Sequence, residues 1–294
     1  MGGIGKRPAW AWIFILEGLF TVAFGLFAFW ILPGAPEGAW FLTREEKVYV
    51  AQRLKAANNA GRDDSEKFSW CEVKEAFKSP HIWFLAINTF FGSAIVYSLA
   101  YFAPSIVLSL GFSPIRTQLM SVPPFAAAFV VTLITAYLAD RYRARGLTVI
   151  FSSLCCIAGF SIYLASTGKW ILYGSLFLTI GGSSAVGPAH TTWQSNNTSP
   201  HIRKATGIAF LIMMANCSGI LAIWLFGFLS EPPRYTTAMI TMLTFSCLIE
   251  LVAGINIAYL WSQNKKKRLI RAVMKKEDEA SGLGDKSAWF EYIL

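Results

Sequence analysis

Long uncharged tracts alternate with short clusters of charge along this chain. The first apolar run covers residues 9–32, from Ala9 to Leu32, and stops at Pro33. Six more follow, from about Ile82 to Leu110, Ile115 to Ala139, Leu147 to Ser166, Trp170 to Trp193, Ala205 to Leu229 and Tyr235 to Trp261. Each is about 20 residues or longer, which is what an α-helix needs to cross the hydrocarbon of a bilayer. The pattern predicts an all-α membrane protein with seven transmembrane helices. Pro104 is expected to bend or break the second run, and Pro123-Pro124 fall in the outer half of the third. Gly187-Pro188 is placed to break the fifth and free a carbonyl.

Residues 34–80 are polar and balanced in charge. Thr43-Arg44-Glu45-Glu46 is a capping box that opens a helix through about Lys55. Ser69-Trp70-Cys71-Glu72 has the same form and opens a second short amphipathic helix, ending before Pro80. Asn58 to Ser65 reads as a flexible link between them. The expected organisation is a first membrane helix (1–33), a linker lying on the membrane surface (34–80), a six-helix bundle (81–262) and a tail (263–294).

Composition changes this picture only by excluding alternatives. With 54% hydrophobic and 15% charged residues, the chain is too apolar for a soluble domain. A net charge of +9 would point to nucleic acid in a soluble protein, but here the charges follow topology. Lys and Arg gather in 34–80, in the connections holding Arg141, Arg143, Arg145, Arg203 and Lys204, and in the tail from Lys265 onward. Only Lys6, Arg7, Arg116, Lys169 and Arg234 fall on the other side. Basic residues in short loops stay cytoplasmic, so the N-terminus is expected outside and the C-terminus in the cytoplasm, the plasma membrane being the expected site. Lys6 and Arg7 alone pull the other way. The first run is too long for a secretory signal and lacks a cleavage site. The sequon Asn196-Asn197-Thr198 then lies inside the cell and is expected to carry no glycan.

The five cysteines, Cys71, Cys155, Cys156, Cys217 and Cys247, have no ligand spacing with His and read as small hydrophobes. Gly181-Gly182-Ser183-Ser184 lacks the lysine of a phosphate loop and suits close helix packing. There is no Ser-His-Asp set, no paired carboxylate and no Cys/His cluster, so neither an enzyme, a metal nor a cofactor is expected.

Ionisable groups inside a membrane are costly and are functional candidates by default. The apolar runs hold Glu17, His190 and Glu250. His190 suits a proton- or substrate-contacting role, or a hydrogen bond between helices. Glu17 reads as a near-interface carboxylate or a coupling group, and Glu250 as a packing contact or protonated acid. Asn88, Tyr97 and Tyr101 on the second run, and Asn216 on the sixth, offer neutral donors to a carboxylate or amide. An aromatic stripe of this kind is more often core packing than a site. Ala215, Ser218, Gly219 and Ala222 form a small-residue stripe that permits close approach of helices.

The tightest connection is Ala136-Tyr137-Leu138-Ala139-Asp140-Arg141-Tyr142-Arg143-Ala144-Arg145-Gly146. It leaves so little chain that the runs on either side must be antiparallel neighbours. Asp140 with Arg141 forms an expected clasp, Arg143 and Arg145 follow, and Gly146 closes the link. This stretch resembles the charged loop between the second and third helices of a half of a major facilitator transporter. Trp10-Ala11-Trp12-Ile13-Phe14-Ile15-Leu16-Glu17-Gly18 is similar to the start of helix six in that family. Phe41-Leu42-Thr43-Arg44-Glu45-Glu46, with Gln52-Arg53-Leu54, resembles the central linker of its anion:cation symporter branch. Trp193-Gln194-Ser195-Asn196-Asn197 with Arg203-Lys204-Ala205-Thr206 resembles that branch's loop between helices ten and eleven. Glu231-Pro232-Pro233-Arg234-Tyr235 is similar to its turn before helix twelve, departing in the glutamate and second proline.

The resemblance covers nearly the whole chain in order, and within the branch it is to the allantoate permease group, known mainly from fungi. It implies helix six plus the C-terminal six-helix bundle, with the first five helices missing. It implies proton-coupled uptake of a small organic anion such as allantoate, nicotinate or pantothenate by alternating access, with Asp140, Arg141, Arg143 and Arg145 as a cytoplasmic gating loop. Such carriers rock two bundles about a central site, so this chain alone is expected not to transport and to need the N-terminal half. The alternative is a truncated, non-transporting paralogue that binds or regulates.

Overall fold

A computed structural model describes residues 8–34, 36–58, 68–232, 234–273, 279 and 283–294. Lys6, Arg7, most of the expected flexible link, Pro233, Lys275 and Lys276 lie outside these residues. Among the described residues all regular structure is helical. The chain forms two compact units, Met1–Ala60 and Gly61–Leu294.

The first unit holds α1 (Ala9–Ile31) and α2 (Arg44–Asn58). α1 is apolar apart from Glu17, and most of its large side chains from Trp10 to Leu32 are exposed, Trp12 and Ile15 being half-buried. A helix hydrophobic all round belongs in lipid or against other membrane helices. The chain turns back after Leu32, whose N–H still reaches Ala28 O at 2.8 Å before Pro33 removes the next donor. α2 opens on the expected capping box. The Thr43 N–H donates to Glu46 Oε2 at 2.9 Å, and the Glu46 N–H to Thr43 Oγ1 at 3.4 Å.

The second unit begins with α3 (Trp70–Lys78). Ser69 caps it by accepting from the Cys71 N–H at 3.2 Å. Glu72 does not complete a box there, because its carboxylate is engaged by Arg203. Six long helices follow: α4 (Pro80–Ser109), α5 (Pro114–Tyr142), α6 (Arg145–Ala165), α7 (Lys169–Asn197), α8 (His201–Trp224) and α9 (Thr236–Val273). With α1 they make, among the described residues, seven helices long and apolar enough to cross a membrane, α8 being extended by a π-turn over Leu225–Leu229.

The prolines do not interrupt these helices. Pro104, Pro123, Pro124 and Pro188 all lie inside continuous α-helix. Each removes one main-chain bond, which packing against neighbours tolerates in a membrane bundle. Around Pro188 the hydroxyls of Ser184, Thr191 and Thr192 bond to carbonyls of their own helix.

α4 packs on α7, α8 and α9, while α6 packs on α7 and α9. The α6–α7 crossing is closest at two glycines. A Cβ at Gly159 would lie 3.0 Å from Ser175 O, and one at Gly182 would lie 2.7 Å from Ser152 O. Trp193, Phe160, Leu176, Ile180, Leu85 and Ile95 fill the core.

The α5–α6 turn is tighter than the sequence suggests. Arg143 takes the left-handed conformation at φ 51°, and α6 starts two residues later. Gly146 is therefore not the closing residue of the link. It lies in the first turn of α6, where a Cβ would be 2.7 Å from Ile257 and 3.0 Å from the Trp193 ring. This turn, the α7–α8 connection, α3 and residues 283–294 gather at one end of the bundle, here called the charged end. α9 continues past Trp261 to Val273 at that end, and 283–294 fold back over it.

Candidate functional site

Three of the residues singled out in the sequence meet on one exposed face of the second unit. α4 and α8 approach closely because Gly219 lets the Tyr97 ring come near, and a Cβ there would sit 3.2 Å from it. The Tyr97 hydroxyl donates to Asn216 Oδ1 at 3.4 Å, and Asn216 Nδ2 donates to Ile212 O at 2.9 Å. One turn along α4, Tyr101 stacks on Tyr97 with centroids 6.1 Å apart and planes 11° off parallel. Tyr101 is 57% exposed. The result is an aromatic ledge edged by two phenols and an amide, with no charged group among them. Such a ledge offers a planar ligand a stacking face and hydrogen bonds together.

His190 and Asn88 lie elsewhere. Both are fully buried, and His190 Nδ1 pairs with Thr89 Oγ1 at 3.2 Å, tying α7 to α4. Closer to the charged end, His81 Nδ1 pairs with Asn256 Oδ1 at 2.9 Å, joining α4 to α9. Gln194 is buried beside Gly207 on α8. The Asn88 and Gln194 amides and His190 Nε2 make no hydrogen bond to a described residue. The bundle therefore carries a polar seam along α4, α7 and α9, separate from the tyrosine ledge. His81, Gln194 and Asn256 escaped the sequence reading because they sit near the ends of apolar runs, where a polar residue passes as interfacial. Glu250 on α9 bonds to Ser153 on α6. Glu17 is on α1 in the other unit, exposed, with its carbonyl accepting from Thr21 Oγ1 at 2.8 Å.

At the charged end the clasp differs from the expected one. Asp140 pairs with Arg145 across the turn, not with Arg141. On a helix, adjacent residues point in different directions, whereas Arg145 on the next helix faces back toward Asp140. Arg145 is buried, and Arg141 and Arg143 are exposed. Beneath the pair is a cavity of about 140 Å³ lined by Thr132, Thr135, Pro188 and Thr192 among others. Arg203, on α8, is 4% exposed and holds Glu72 of α3 through Nε and Nη2 at 3.0 and 2.8 Å, and also pairs with Asp285.

Comparison with known proteins places this architecture. Two uncharacterized transporters of Schizosaccharomyces pombe are 29% and 31% identical over 296 and 299 residues, covering 100% and 99% of this chain. The high-affinity nicotinic acid transporter of Saccharomyces cerevisiae is 28% identical over 293 residues, covering 98% of the chain. The chain spans 58%, 57% and 54% of these three curated relatives. The family model of the Major Facilitator Superfamily matches residues 1–222, and the chain, with seven candidate membrane helices among its described residues, belongs to that superfamily.

Proposed function

We propose that this chain is helix six and the C-terminal bundle of a secondary active transporter that takes up a small aromatic carboxylate, of the nicotinate type, together with protons. The observation that carries the reading is the ledge of Tyr97, Tyr101 and Asn216. The likeness of the chain to a nicotinic acid transporter along nearly its whole length supports the choice of substrate class. In this reading the pyridine ring stacks on the exposed Tyr101, and a phenol and the Asn216 amide bond to the carboxylate. Neutral donors suit a site in which the seven apolar runs hold a single Lys or Arg, Arg116, at the very start of the third. The countercharge for the anion then belongs to the N-terminal half. The charged end is cytoplasmic, with Asp140, Arg141, Arg143 and Arg145 forming the gating loop. His190 is assigned the proton, relayed through Thr89.

Binding is the test, because alternating access needs two bundles and half of a site still retains contacts. Purified chain in lipid nanodiscs is titrated with radiolabelled nicotinate, allantoate and pantothenate at pH 5 and pH 7. Nicotinate is expected to bind best. Tyr97→Phe and Asn216→Ala should each weaken it about 10-fold, the worth of a hydrogen bond to a charged group. His190→Gln should remove the difference between the two pH values. Equal, unsaturable retention of all three acids in parent and variants would sink the proposal.

A further inference from the structure

Residues 283–294 are gripped at the charged end through their main chain. Asn197, at the end of α7, donates to Ile293 O at 2.8 Å and accepts from the Ile293 N–H at 2.7 Å. Trp193 Nε1 donates to the same carbonyl at 2.9 Å. Asn264 on α9 treats Tyr292 in the same way, at 2.8 and 2.9 Å. Lys267 Nζ donates to Asp285 O at 2.5 Å and Phe290 O at 3.0 Å, and Arg271 Nε donates to Ala288 O at 2.5 Å. Trp193, Asn197, Asn264 and Lys267 are all buried. Their polar groups are committed to this segment, and burying them without it would carry the full cost of desolvation.

Charge adds a second set of ties. Arg203 of α8 joins Asp285 of the segment to Glu72 of α3, and Lys286 pairs with Glu75 of α3. Gly284 makes the close approach possible. Its φ is +58°, and a Cβ there would fall 2.5 Å from Ser199 O in the α7–α8 connection. The partner of the segment, the α9 extension, carries Lys265, Lys266, Lys267 and Arg268 in succession. Lys265 with Arg268, three apart, and Lys267 with Arg271, four apart, are like-charged neighbours on one helix face and destabilise it. The segment answers that repulsion with carbonyls to Lys267 and with Glu291 to Arg268 at 2.8 Å.

We propose that residues 283–294 are a C-terminal latch that fastens the charged ends of α7, α8 and α9 to one another and holds the linker helix α3 on the bundle. The latch and the α9 extension stabilise each other. With the latch released, α3 loses the Lys286–Glu75 pair and the Asp285 that steadies Arg203, and it is left with the Arg203–Glu72 pair and Phe77 against Phe210 at 5.2 Å, while the extension unwinds. The latch operates whichever molecule the bundle serves.

The test is hydrogen–deuterium exchange of the full chain in nanodiscs, compared with a chain ending at residue 282, with Asn264→Leu and with Gly284→Val. Residues 70–78 and 262–273 are expected to exchange at least tenfold faster in the shortened chain and severalfold faster in both point variants. Residues 150–165, inside α6, should stay protected throughout. Unchanged exchange at 70–78 and 262–273 in the shortened chain would overturn the latch. If the shortened chain does not fold, Gly284→Val decides, and parental rates in both regions of that variant would overturn it equally.

Discussion

At the scale of single residues, the bundle is set by the places where a side chain is missing. α6 and α7 cross on Gly159, which faces the Thr179 methyl and Ser175 O, and on Gly182, whose nearest neighbour is the main-chain oxygen of Ser152. A carbonyl within a helix cannot move aside as a side-chain tip can. Gly182→Ala is therefore expected to lower stability by about 1–3 kcal/mol, the range for overpacking. Gly181→Ala, one residue earlier, meets only Val131 at 3.9 Å and should leave stability unchanged. Thermal unfolding of the two variants in the same detergent separates the cases, and equal shifts would remove the crossing from the account. The sequence marks both glycines as one small-residue patch. Which of them faces a neighbour depends on helix rotation, which an almost uniformly apolar run leaves unspecified. The same holds for Asp140, whose partner is chosen by the left-handed turn at Arg143.

At the scale of elements, the spans were legible because twenty-odd apolar residues in lipid have one economical structure, the helix. The capping box of α2 was legible for a local reason, since Thr43 and Glu46 need nothing beyond their own turn. The latch was not legible, because it is read through main-chain groups that every sequence has, by two asparagines far apart in the chain. Its chemistry predicts a pH optimum. Burial holds the Asp285 carboxyl at about 6, above its ordinary 3.8, against the pull of Arg203 from α8, Lys267 from α9 and Lys286 on the latch itself. Glu72 shares Arg203, and the Tyr259 and Tyr292 hydroxyls also face this group. The docked segment thus holds a proton more tightly than the free one, so docking strengthens as pH falls from 7 through 6. Glu75, held down to about 2 by hydrogen bonds from Lys286 and Lys78, and Glu291, lowered by its bond from Arg268, act in the opposite sense. Their contributions are present above 4.5 and fade as pH drops below it. Protection of the latch amides, corrected for intrinsic exchange, should peak near about pH 5. Asp285→Asn should abolish the rise between pH 7 and 5, and a parent whose protection falls steadily over that interval would contradict the assignment.

At the scale of the whole molecule, sidedness is the property on which the proposed carrier depends. The connections between helices are short, down to Arg143 and Ala144 between α5 and α6, so no helix in the bundle can invert alone. One measured position therefore orients all of them. The charged end concentrates Arg141, Arg143, Arg145, Arg203 and the α9 cations, and moving that many charges across a bilayer is far costlier than moving Arg116, Lys169 and Arg234. Cys71 is an exposed thiol on α3, beside Glu72, which Arg203 ties to that same end. A membrane-impermeant maleimide added to intact cells is expected to leave Cys71 unlabelled and to modify it once the membrane is permeabilised, with a Cys71→Ser chain as the blank. Asn196, at the charged end of α7, should correspondingly carry no glycan. Labelling of Cys71 before permeabilisation would turn every span of the bundle over at once. It would also place the Asp140–Arg145 turn and the latch on the outer surface, where a cytoplasmic gating loop is impossible.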